Sequence, residues 1–96
     1  MTNNFVQIKT THSAEIQWMW TDARQRDVDY HFDVNDNVDA KVKELEAKYM
    51  VRDDRNYCCQ CEGRLLYGDN LANITAAATE LAEYLSTFDG IRFIKN

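Results

Sequence analysis

In the segment Asp27-Val28-Asp29-Tyr30-His31-Phe32-Asp33-Val34-Asn35-Asp36-Asn37-Val38-Asp39 the apolar residues change their spacing partway along. Val28, Tyr30, Phe32 and Val34 recur at every second position, the period of a strand with one face toward a core. Val38, Val42, Leu45 and Tyr49 then follow as i, i+4, i+7, i+11, the period of a helix. Asp36 or Asn37 offers a side-chain oxygen to the exposed N–H groups where such a helix begins. The segment thus predicts a strand over 28–34 and a helix over roughly 37–51.

On the N-terminal side, Ile16, Trp18 and Trp20 alternate in the same way. The polar run from Thr21 to Asp27 would join them to the 28–34 strand as an antiparallel hairpin with a long tip. Phe5 to Lys9 reads as one earlier strand.

On the C-terminal side, Arg52-Asp53-Asp54-Arg55 reads as a charged break. Asn56 to Cys61 and Arg64 to Tyr67 then flank Glu62-Gly63, where glycine accepts a positive φ, so a second hairpin is expected. Leu71, Ile74, Ala78, Leu81, Leu85 and Phe88 alternate by three and four; Asp69 or Asn70 supplies an N-cap, and Gly90 stands where a C-cap belongs. Ile91-Arg92-Phe93-Ile94 closes the chain as a last strand.

The expected class is α+β, with the order β-β-β-α-β-β-α-β and two helices packed on one face of an antiparallel or mixed sheet. From residue 27 onward the order is βαββαβ. That order suggests a split βαβ, or ferredoxin-like, sheet with extra N-terminal strands. A chain of 96 residues makes one core, so residues 1–96 read as a single compact domain. Such a fold carries enzymes, regulators and binding modules alike, so function has to come from a site.

The formal charge is −5. Asp27, Asp29, Asp33, Asp36 and Asp39 carry that many negative charges with no Lys or Arg between them. A field of this sign repels phosphate backbones and anionic lipid and attracts basic protein surfaces, so direct nucleic-acid or membrane binding is not expected. The start of the chain, Met1-Thr2-Asn3-Asn4-Phe5, has neither a basic n-region nor an apolar h-region, and no long uncharged apolar run follows. Cys58, Cys59 and Cys61, odd in number and crowded on one strand, read as reduced thiols, which places the protein in the cytoplasm.

On a strand, Asp27, Asp29, His31 and Asp33 would share one face, three carboxylates beside one imidazole. That face is open to three uses: a divalent-cation site, an acid/base pair, or carboxylates offered as phosphate surrogates. The plainer reading leaves it to water while Val28, Tyr30, Phe32 and Val34 pack inward.

Asp33 to Glu44 resembles the calcium loop D-x-[DN]-x-[DN]-G-x5-E. Val38 takes the place of its glycine and Lys41 a ligand position, so calcium is not expected. The cysteines lack the C-x(2–4)-C pairing usual for zinc, although His12 or His31 was available to complete a shell. Gly63, Gly68 and Gly90 each fit a turn or cap, so no phosphate loop is present. Neither a cofactor nor a catalytic residue is assigned.

Asp27, Asp29, His31, Asp33, Asp36 and Asp39, with Trp18 and Trp20 as exposed aromatics, are therefore expected to bind a protein partner that has a basic surface. A regulator or inhibitor that mimics nucleic acid, of the kind phages and mobile elements encode, fits that size and charge. Two alternatives stay open: a cation-dependent protein or enzyme using Asp29, His31 and Asp33, and an assembly subunit that forms a homodimer through edge strands or the second helix.

Overall fold

A computed structural model describes residues 5–57 and 61–94. Five strands and two helices follow in the order β1 (Gln7–Thr10), β2 (Ser13–Trp20), α1 (Val28–Tyr49), β3 (Arg52–Tyr57), β4 (Cys61–Tyr67), α2 (Leu71–Leu85) and β5 (Ile91–Phe93). The class is α+β with an antiparallel sheet and two helices, as expected.

One element differs from the alternation. Residues 28–34 are the first two turns of α1, not a strand. Asp27 is the N-cap, its side chain accepting the Tyr30 N–H at 3.2 Å, and Asp29 sits in the first turn, where the helix dipole favours an acid. His31, Val34, Val38, Val42, Leu45 and Tyr49 form one continuous stripe at helical spacing, and its four aliphatic members are buried. Two residues apart is about 200° around a helix, so Phe32 turns away from Val34 and is 63% exposed. The alternation of Val28, Tyr30, Phe32 and Val34 is a coincidence of composition; Asp27 and Asp29 at the start of the segment favour a helix start over a strand.

The split βαβ arrangement is present, with β2 in the place assigned to residues 28–34. The sheet runs β3-β4-β2, and the far edge of β2 is shared: β1 pairs along Ser13–Glu15 and β5 along Trp18–Trp20. Every pairing is antiparallel. β2 and β3 consequently run parallel with β4 between them, bridged by α1. β4 and β5 run parallel with β2 between them, bridged by α2. The single strand β1 is the N-terminal addition.

Three further boundaries move. Glu62 and Gly63 lie inside β4, opposite Trp18 and Gln17 of β2, so they form no turn. Gly63 is there for space, since a Cβ would meet the Asn56 carbonyl oxygen at 3.3 Å. The charged run Arg52 to Arg55 is β3 itself, an edge strand whose charges discourage pairing with another chain. α2 ends at Leu85 with Ser86 as its cap, and Gly90 serves the turn into β5 at φ +82°.

Ala14, Ile16, Trp18 and Trp20 of β2, with Leu66 of β4, face the aliphatic stripes of both helices and make one buried cluster. Ala77, Ala78 and Ala82 on α2 are fully buried, and their small side chains let the helix lie close to its neighbours. Each large buried side chain contributes about 1.5–3 kcal/mol. The cluster therefore holds the sheet and both helices as one unit.

Candidate functional site

The helix separates residues that a strand would have grouped. Asp29, Asp33 and Asp36 stand at i, i+4 and i+7 on the outer face of α1, all exposed. Among the described residues none of the three is in an ion pair. Val28 and Phe32, 56% and 63% exposed, lie beside this row.

The other expected members are used internally. Asp27 caps α1 and takes an ion pair from Arg24 Nη1 at 2.9 Å. Asp39 pairs with Arg64, which is itself buried and also holds Asp53 Oδ2 at 2.7 Å. His31 stacks on Trp20, centroids 4.1 Å apart, and its Nε2 lies 2.6 Å from the Arg24 carbonyl oxygen. That oxygen can only accept, so Nε2 carries a proton. Trp18 and Trp20 are 1% and 9% exposed, so they are core side chains and not exposed aromatics.

The Asp29, His31, Asp33 face expected of a strand is thus not assembled: the imidazole points to Trp20 while both carboxylates point outward. Among the described residues no three of His, Cys, Asp and Glu approach closely enough to hold a metal ion. Asp33 to Glu44, which resembles a calcium loop, is helical throughout, so its oxygens are spread around the axis. Cys61 is disulfide-bonded, which corrects the expectation of a reduced thiol there and removes the thiol argument for a cytoplasmic location. Cys61 opens β4, outside the pleated interior that argued against a bridge. Cys58 and Cys59 lie outside the described residues. No described helix is long and apolar enough to cross a membrane.

Burial raises the Asp53 carboxyl above the ordinary aspartate range; Arg64 opposes that shift, and Glu46 and Asp54 add to it. Its Oδ1 is buried without a hydrogen-bond partner among the described residues. This group joins α1, β3 and β4, and its role is structural. At the opposite flank of α1, Lys48 Nζ reaches Glu80 of α2 at 2.7 Å, with the Tyr49 hydroxyl on the same oxygen at 3.0 Å.

Phe32 and Val28 are surface groups that the strand reading hides, because alternation assigns both to a core face. The signal that would have found them is the helical spacing they share with Asp29, Asp33 and Asp36. No family model matches the chain, and no curated protein or solved structure matches it either.

Proposed function

We propose that this domain is a protein-binding module that lays the outer face of α1 on a basic surface of a partner protein, acting as a regulator or inhibitor. The observation that supports this reading is the line of Asp29, Asp33 and Asp36, exposed and without a basic partner among the described residues. A rise of 1.5 Å per residue sets them about 6 Å and about 4.5 Å apart along the axis. A row of repeated negative charges suits a surface evolved to hold phosphates. Val28 and Phe32 add an apolar strip beside the acids, the kind of pairing that gives a charged contact a desolvated centre.

The test compares the wild-type domain with the triple variant Asp29→Asn, Asp33→Asn, Asp36→Asn as bait in lysate of the cells that encode it. The expected outcome is a basic partner captured by the wild type alone and released steeply by salt. Equal capture by the variant overturns the reading.

A further inference from the structure

At the end of the domain remote from the start of α1, an open cleft of about 480 Å³ is lined by His12, Met50, Arg52, Tyr67, Gly68 and Asp69. It lies where the β1–β2 turn, the end of α1 and the start of α2 meet. Gly68 draws these parts together: its N–H donates to the His12 carbonyl at 3.1 Å, and a Cβ on it would stand 3.3 Å from the Met50 carbonyl oxygen.

Two features of the lining bear on what the cleft could hold. Arg52 and Asp69 are opposite in charge and share the cleft, yet they form no ion pair with each other or with any described residue. The Tyr67 hydroxyl likewise makes no hydrogen bond among the described residues. His12 uses Nδ1 on Thr11, so its Nε2 is left over.

The second feature is Met50. It ends α1 in the left-handed conformation, φ 55° and ψ 49°, a place that favours glycine or asparagine. It is 85% exposed, more than any other large apolar residue among those described. An unfavourable backbone position occupied by a large apolar side chain on a cleft rim points to a use for that side chain.

We infer that the cleft binds a small zwitterion of the amino-acid type with an apolar side chain: Arg52 takes the carboxylate, Asp69 the ammonium, and Met50 with the Tyr67 ring the apolar group. The two opposite charges on one cleft favour this over a simple anion. A net charge of −5 opposes an anion, whereas a ligand of zero net charge meets no such barrier. The volume lies within the range of small-molecule sites. This inference is independent of the α1 surface.

The experiment is an NMR titration of the ¹⁵N-labelled domain with L-phenylalanine, with N-acetyl-L-phenylalanine, L-phenylalaninamide and glycine as controls. Saturable shifts are expected at Met50, Arg52 and residues 67–69, with half-saturation at about 1 mM or below. Each capped analogue, and each of Arg52→Gln and Asp69→Asn, should weaken binding about tenfold, the loss of one charge-assisted contact. Met50→Gly should keep the fold and reduce phenylalanine to the affinity of glycine. Absence of saturable shifts up to about 10 mM overturns the inference. Equal binding of either capped analogue, or Met50→Gly binding phenylalanine as the wild type does, overturns it as well.

Discussion

Gly90 and Arg24 share a space that holds only one side chain: a Cβ built on Gly90 would lie 2.4 Å from Arg24 Cγ. The Gly90 φ of +82° is also one that a residue with a Cβ rarely takes. Arg24 is fixed on its other sides by Asp27, by Asp89 at 3.2 Å, and by the Tyr30 ring 4.1 Å away. The turn before β5 and the start of α1 are therefore set against each other, and the acidic face of α1 inherits its position from that contact.

Gly90→Ala should cost at least about 1–2 kcal/mol from the left-handed backbone alone. Because Arg24 must also give way, amide exchange in the first turn of α1 should quicken more than exchange in α2. A melting temperature and exchange pattern equal to wild type would contradict the contact.

Phe32→Ala removes a large side chain from the surface and should change stability by no more than about 0.5 kcal/mol. Val34→Ala removes far less, yet from a site 1% exposed, and should cost about 2 kcal/mol. Urea unfolding of the two variants checks the helix directly, since a strand would bury both residues on one face.

Arg64→Leu leaves Asp53 buried without its cation, and should lower stability at neutral pH by about 3–5 kcal/mol. The Asp53 carboxyl is already held above its ordinary value by burial, so the folded form binds its proton more readily than the unfolded chain does. Stability linked to this group therefore rises as pH falls into the carboxylate range. The Arg64→Leu deficit should shrink in acid, and adding Asp53→Asn should recover part of it at neutral pH. Denaturant midpoints across a pH series give the answer.

Glu80 shows the opposite sign. Its hydrogen bond from Lys48 lowers its pKa, so its contribution is present above the ordinary glutamate range and is lost as pH falls through the depressed folded value. Glu80→Gln should be less stable than wild type near neutrality and equal to it once Glu80 is protonated in both states. A deficit that persists unchanged into strong acid would show that packing, not charge, links α1 to α2 here.

Much of the fold was legible in advance because its signals are local. Leu71 to Leu85 pairs a 3.6-residue stripe with an Asn70 cap, and Ile16, Trp18 and Trp20 alternate over a strand whose even face is wholly buried. The site was far less legible. Asp29, Asp33 and Asp36 stand out in the sequence by their charge, but a strand would set His31 beside Asp29 and Asp33, and the helix turns it onto Trp20.

Composition and periodicity by themselves determined an α+β domain with a negative stretch between residues 27 and 39, since burial of apolar stripes depends on spacing that can be read along the chain. Only the tertiary structure decided which aspartates enter ion pairs. Arg24 and Arg64 reach Asp27 and Asp39 across three residues and across twenty-five, and a choice of partner made through space leaves no periodic trace in a linear sequence.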